Sequence, residues 1–226
     1  MPVTTGAAPR GRRRLVARSV WWCLHSLAYA PDGFHPNDTG ESADPTGGGR
    51  FNPFADVAGV RVPTKYLADH PNGTFAETLF RDDALERRLA RETVASRRLV
   101  QLALRRDLLV ADLAEPEPGS ALAKDLGSGA AAYPRLRRLA ASLHATDPGL
   151  AGLLWQGRQL DQPGMACIVL FGDRVAGDGG GDGGADDGLE LVQSLELERG
   201  TGLAMLRAAA RLRGVALPAA LAGGGR

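Results

Sequence analysis

The sequence predicts a single domain of the α+β class. Its 226 residues suit one domain, and 44% hydrophobic and 23% charged residues allow a buried core. Segments typical of strands and of helices are mixed along the chain without the regular alternation of a doubly wound sheet. No run of about 18 apolar residues occurs, so we expect no segment that spans a membrane.

The charge balance argues against a general binder of nucleic acids or membrane surfaces. Lysine and arginine number 27 and aspartate and glutamate 26, which gives a formal charge of +1. The arginine-rich runs at 12–18 and 97–106 are interpreted as solvated faces, with nucleic-acid binding as a lesser alternative. Cys23 and Cys167 lie far apart and form no metal or disulfide pattern, so we expect a cytoplasmic location.

The first part of the chain contains two predicted strands. Residues 1–14 lack apolar periodicity and are predicted to form a disordered arm before a domain that runs over 15–213. The β-prone residues 20–24 predict the first strand. They also lie in a stretch that imitates a secretory signal, but Arg18 and His25 interrupt it and favour a strand. Val60–Ala68 is predicted to be an edge strand, because a proline within it cannot donate to a central ladder.

The middle of the chain is predicted to begin with a helix. Thr74 and Glu77 have the spacing of a capping box, in which both side chains would satisfy free amide groups at the start of a helix. A short arginine-rich helix at 85–93 follows. Residues 99–113 are then interpreted as two short strands around 105–107, with a helix as the alternative. Further helices are predicted at 121–126 and 133–145.

The last part of the chain combines strands with a segment of biased composition. Strands are predicted at 153–155, 165–171 and 189–197, and a helix at 201–213. The Asp/Gly-rich residues 177–188 lack calcium ligands at the required positions and are interpreted as a flexible insertion. Residues 214–226 are predicted to form a loose tail.

Familiar catalytic and cofactor motifs are absent from the sequence. The four histidines show no metal-binding spacing, and no serine-hydrolase elbow or phosphate-binding glycine loop occurs. We therefore expect no metal and no prosthetic group.

A group of residues in the aromatic-rich first third resembles a known family. The segment Gly47–Pro53 reads GGGRFNP, a YLA strand starts at Tyr66, and Glu77 follows eleven residues after that tyrosine. These features, with the segment 152–158 and the apolar strand after it, resemble the RES-domain family. The resemblance spans about residues 21–175.

The resemblance implies a fold and an activity. Members resemble ADP-ribosyltransferase toxins, so the domain is expected to hold a mixed, strongly twisted sheet flanked by helices. Active members cleave the nicotinamide–ribose bond of NAD with water or phosphate as acceptor. They commonly pair with a small helix-turn-helix antitoxin. NAD would then be a substrate and not a resident cofactor, and a homo-oligomer is left open.

The implied site residues have chemistry that suits this reaction. A carboxylate such as Glu77 stabilises a ribose with oxocarbenium character, and Arg50 offers a planar fork to phosphate. Tyr66 can pack on the nicotinamide or ribose, and Arg158 fits the family pattern. Each also has a structural interpretation: a helix cap for Glu77, an ordinary loop residue for Arg50 and a strand aromatic for Tyr66.

Two positions depart from the family pattern. Gly157 replaces the serine of the family, and Cys23 stands where an arginine is expected. The loss of a cation and of a hydroxyl would weaken substrate binding. The alternative is therefore a degenerate, non-catalytic RES-domain protein that binds an antitoxin or a nucleotide.

Overall fold

The structure is a computed structural model, and it describes residues 11–36, 49–80, 89–157, 165–175 and 188–223. Eight strands form one sheet: β1 (Gly11–Leu15), β2 (Val20–Ser26), β3 (Thr64–Ala68), β4 (Arg97–Leu104), β5 (Leu108–Asp112), β6 (Gly152–Gln156), β7 (Ala166–Phe171) and β8 (Leu189–Glu196). The helices are α1 (Pro71–Thr78), α2 (Arg91–Ala95), α3 (Ala121–Gly127), α4 (Tyr133–Thr146), α5 (Gly172–Val175), α6 (Gly200–Arg213) and α7 (Ala219–Ala222). The predicted α+β class is confirmed.

The sheet is mixed, with strand order β1-β5-β6-β7-β3-β2-β4-β8. β5 and β6 are parallel, and the other neighbouring strands are antiparallel. One face packs against α3 and α4, while α1, α6 and α7 cover a separate cluster at the β2–β4 side. A further buried cluster consists almost wholly of strand residues, so the curved sheet packs partly against itself. None of the described helices is long and apolar enough to span a lipid bilayer.

The ordered domain extends beyond both predicted boundaries. β1 begins at Gly11, within the predicted arm, and pairs with β5. The sequence placed its arginines in a disordered segment. In the structure, Arg13 forms an ion pair with Asp112 and Arg14 with Asp107, so the partners of these charges lie about 100 residues away in sequence. In the predicted tail, Leu221 of α7 is buried. Residues 1–10 lie outside the described part of the chain.

β3 is an interior strand, so the predicted edge position is wrong. It lies between β7 and β2, and the strand begins at Thr64, one residue after Pro63. The missing amide of Pro63 therefore falls outside the ladder. Its carbonyl accepts a hydrogen bond from the amide of Gly172, at 2.7 Å.

β2 and β3 are neighbours that separate along their length. They pair at one position, Trp22 opposite Ala68, whereas β2 and β4 pair from Val20 to Ser26. Beyond that single pair, the end of β2 and the start of β3 diverge. The sheet therefore has an opening between two interior strands.

Most other predicted elements are confirmed. The strands around residues 105–107, the helices α3 and α4, and the central β7 lie close to their predicted positions. α6 ends at Gly214, which has a φ of 62°, a conformation that glycine adopts without steric cost. Most of the predicted insertion, residues 177–187, lies outside the described residues.

Candidate active site

A pocket of about 370 Å³ lies at the opening between β2 and β3. This volume falls within the range of about 300–1,000 Å³ that is typical of small-molecule sites. Among the described residues, the polar side chains that line it are His25, Ser26, Tyr29, His35, Arg50, Asn52, Thr64, Lys65, Tyr66, Glu77, Thr78, Arg97 and Tyr133. Three of the four predicted site residues, Arg50, Tyr66 and Glu77, therefore lie in one pocket.

Glu77 is placed by α1, and not in the way that the sequence predicts. The helix starts at Pro71 with His70 as its N-cap, so Thr74 lies inside the helix and the predicted capping box is wrong. The Thr74 hydroxyl instead donates to the carbonyl of Trp22, at 3.1 Å, and joins α1 to β2. Glu77 therefore lies near the end of the helix and lines the pocket, and its side chain caps no amide of the described residues.

Arg50 and Glu77 form a buried charged pair. Nη2 of Arg50 lies 3.7 Å from Oε2 of Glu77, and the two side chains are only 7% and 13% exposed. Nη1 of Arg50 donates to the carbonyl of Leu126, at 2.9 Å, and the guanidinium lies 5.7 Å from the ring centre of Tyr133. The other carboxylate oxygen, Oε1 of Glu77, is buried and has no hydrogen-bond partner among the described residues. The carboxylate therefore has one oxygen near a cation and one free acceptor.

Tyr66 fixes the loop that carries Arg50. Its hydroxyl accepts a hydrogen bond from the amide of Phe51, at 2.8 Å. A Cβ at Gly49 would lie only 2.7 Å from this hydroxyl, so the close approach requires glycine there. Because the ring of Trp155 meets both Phe51 and Tyr66 edge to face, the loop is held from the core side as well.

Tyr66→Phe is expected to lower the free energy of unfolding by about 1–3 kcal/mol, because the Phe51 amide loses its hydroxyl acceptor. Urea unfolding followed by circular dichroism measures the change. Tyr29→Phe is the matched control, since the Tyr29 side chain is 38% exposed. Equal stabilities of the two variants would contradict the role assigned to the Tyr66 hydroxyl.

The two departures from the family pattern both border the pocket. Cys23 is 7% exposed and lines it. A Cβ at Gly157 would lie 3.5 Å from Oε1 of Glu77 and 3.0 Å from Sγ of Cys167, so the position of the missing serine adjoins the free carboxylate oxygen. Arg158, the remaining predicted site residue, lies outside the described part of the chain.

Both cysteines are expected to react slowly with iodoacetamide in the folded protein. Burial raises the pKa of the Cys23 thiol, and burial together with the nearby carboxylates of Glu77 and Asp69 raises the pKa of Cys167 well above its usual value. A raised pKa means less thiolate at neutral pH, so the rate should increase as the pH rises. Mass spectrometry of native and urea-unfolded protein measures it; equal rates in both states would contradict this expectation.

Sequence reasoning missed several residues that line the pocket. Lys65 and Tyr133 were assigned no part in a site. Arg97 belonged to the arginine-rich run interpreted as a solvated face, and His25 was noted only within the first strand. Lys65 had a weak signal, since lysine is depleted in strands and this one lies within the predicted strand at 60–68. Arg97 and Tyr133 had none, because their position depends on contacts between segments distant in sequence.

Comparison with known proteins agrees with the resemblance. A chain in the crystal structure of the M. tuberculosis MbcT–MbcA toxin–antitoxin complex is similar in fold, with a TM-score of 0.52 and 19% sequence identity. The match covers 89% of this chain and 92% of that chain. No curated protein matches the sequence significantly. The family model of the RES domain matches residues 20–179, which is most of the chain, and the protein therefore belongs to the RES-domain family.

Proposed function

We propose that this protein is an NAD-degrading enzyme that cleaves the nicotinamide–ribose bond and acts as the toxin of a toxin–antitoxin pair. Membership in the RES-domain family supports the reaction class through the resemblance described above. The similarity to a chain of a toxin–antitoxin complex supports the biological role. The pocket supplies the chemistry that the reaction needs.

The observation that carries the proposal is the position of the Glu77 carboxylate and the partners of its two oxygens. Its carboxylate lies in a pocket between two strands, with Oε2 near Arg50 and Oε1 without a protein partner in the described structure. An unpaired carboxylate oxygen at a buried position costs free energy unless a ligand uses it. A developing positive charge on a ribose would use it.

The residues suggest a division of roles. As the bond between ribose C1′ and the nicotinamide nitrogen breaks, its electrons leave with nicotinamide, and Glu77 stabilises the cationic ribose. Water then bonds to C1′ through its oxygen and releases one proton to solvent, or phosphate bonds to C1′ through an unprotonated, anionic oxygen. Arg50 lies beside the carboxylate, with Nη2 3.7 Å from Oε2, and its Nε, which is buried and has no described partner, remains available to the substrate. Tyr66 holds the loop and offers a ring to the nicotinamide or ribose.

Proton NMR of the purified protein with NAD tests the proposal. Release of free nicotinamide would establish cleavage, and parallel samples with and without inorganic phosphate would identify the acceptor. Glu77→Gln is the inactive reference. The absence of nicotinamide from high concentrations of folded protein would overturn the proposed activity.

The proposed partner is a small helix-turn-helix antitoxin, as the resemblance implies. Co-expression with a small helix-turn-helix protein encoded beside this gene should yield a complex that releases less nicotinamide than the free protein. A neighbour that neither binds nor inhibits would count against the toxin role while leaving NAD cleavage intact.

A non-catalytic binding protein is the second candidate, favoured by Cys23 and Gly157. Gly157 adjoins Oε1 of Glu77, so the missing serine hydroxyl would have been close to the free oxygen. Binding of NAD without nicotinamide release, unchanged by phosphate, would support this candidate over the enzyme.

A further inference from the structure

Lys65 is a buried cation that has no carboxylate partner among the described residues. Its side chain lines the pocket and the residue is 5% exposed. The ammonium donates one hydrogen bond, to the carbonyl of Gly33 at 2.7 Å, although an ammonium carries three donors. Burial lowers the pKa of the Lys65 ammonium, an effect that Asp32 opposes only electrostatically, because no carboxylate of the described residues forms an ion pair with Lys65. Because buried lysines are usually paired, the remaining donors of Lys65 suit an anionic ligand.

Arg97 is a second cation that lines the pocket. Its Nε is buried and makes no hydrogen bond with any described residue. The next residue in β4, Arg98, contrasts with it: Arg98 lies outside the pocket lining and reaches Glu196 at 3.4 Å. The two neighbouring arginines of β4 thus differ: Arg98 pairs with a carboxylate of the protein, and Arg97 lines the pocket.

The described lining of the pocket carries an excess of positive charge. It contains three cationic side chains, Arg50, Lys65 and Arg97, and one carboxylate, Glu77. Because Arg50 is engaged by Glu77 and by a backbone carbonyl, the unbalanced charge belongs to Lys65 and Arg97. This local excess differs from the whole chain, whose formal charge is +1.

Lys65 and Arg97 both act on the same part of β2. Both line the pocket together with Cys23 and His25, and Arg97 lies opposite Ser26 in the β2–β4 ladder. Cys23 is the position at which the family resemblance predicts an arginine. Cations from β3 and from the start of β4 therefore reach the region where the β2 cation is missing.

We propose that Lys65 and Arg97 form a phosphate-binding subsite that replaces the missing arginine of β2. The inference rests on the proposed function for its ligand, since a phosphate group could belong to the pyrophosphate of NAD or to inorganic phosphate as acceptor. An ammonium and a guanidinium with unused donors bind either source through charge-assisted hydrogen bonds. In this arrangement Arg50 and Glu77 contact the ribose, and Lys65 and Arg97 bind the phosphate group.

Isothermal titration calorimetry of Lys65→Met and Arg97→Gln tests the subsite. ADP, inorganic phosphate and adenosine serve as probes; adenosine lacks the phosphate group. Each variant should weaken the binding of ADP, of phosphate or of both by about 10- to 100-fold, the scale of a hydrogen bond between charged groups, and leave adenosine unchanged. Lys124→Met and Arg98→Gln are matched controls that remove the same charges outside the pocket and should bind as the unmutated protein does.

The pattern of losses identifies the ligand. A loss confined to ADP assigns the subsite to the dinucleotide, and a loss confined to inorganic phosphate assigns it to the acceptor. Unchanged binding of both, or equal losses in Lys124→Met and Arg98→Gln, would overturn the proposal. Thermal melting establishes that the variants are folded; Lys65→Met should be stable, because an apolar side chain suits a buried position.

These measurements do not depend on turnover. If the protein binds ADP through Lys65 and Arg97 but releases no nicotinamide, the proposed subsite is supported and the proposed enzymatic function is overturned. The reverse result, nicotinamide release unaffected by either substitution together with unchanged binding, would remove the subsite and keep the enzyme.

Discussion

Glu77→Gln is expected to reduce the release of nicotinamide from NAD by at least about 100-fold, the scale on which one preorganised electrostatic group contributes to catalysis. The amide has nearly the shape of the carboxylate but carries no negative charge. It therefore cannot stabilise a cationic ribose through the oxygen that lies free in the pocket. Proton NMR time courses at several enzyme concentrations measure the loss.

The same substitution also removes the charge partner of Arg50, so a second variant must separate catalysis from folding. The pair is buried, and leaving Arg50 without its partner could destabilise the domain. Glu77→Asp keeps the charge and shortens the side chain by one methylene group. We expect it to melt near the unmutated protein and still lose most activity, because the oxygen is displaced. Activity near normal in a folded Glu77→Gln protein would contradict the catalytic role.

Trp155→Ala is expected to lower the free energy of unfolding by about 3–5 kcal/mol, the usual cost of removing a large aromatic side chain from a core. Trp155 is 1% exposed, and its ring centre lies 5.0 Å from that of Phe51 and 5.8 Å from that of Tyr66. The cavity would remove support from the loop that carries Arg50. Substrate affinity should therefore fall in the fraction that remains folded.

Trp155→Phe is the control for this prediction. Phenylalanine keeps an aromatic ring, and the indole nitrogen that it removes is buried without a hydrogen-bond partner in the described structure. We expect less than half the stability loss of the alanine variant, measured by urea unfolding. Equal losses in both variants would show that the ring contacts with Phe51 and Tyr66 contribute little.

Local patterns in the sequence predicted the elements that depend on neighbouring residues. Apolar residues on either side of residues 105–107 predicted β4 and β5, and Gly214 predicted the end of α6. These patterns succeed because a strand face or a helix end is determined within a few residues. Thr74 and Glu77 show the limit: their spacing fitted a capping box, but His70 and Pro71 start the helix one turn earlier.

Long-range pairing decided what the sequence could not. Pro63 suggested an edge strand, but β3 begins after it and lies between β7 and β2. The sequence predicted that the arginines of β1 are disordered, but β1 forms backbone hydrogen bonds with β5 and Arg13 forms an ion pair with Asp112 of β5. Such partners are distant in sequence, and no local pattern records them.

For the site, the sequence by itself determined the residue types and their order: Arg50, Tyr66 and Glu77 at a spacing that resembles the RES-domain family. The tertiary structure decided that these residues share one pocket, that Arg50 contacts Glu77, and that Lys65 and Arg97 join them. The physical reason is the divergence of β2 and β3, which pair at one position and then separate. That opening depends on the packing of the whole sheet, and charged side chains from four segments that are distant in sequence line the pocket there.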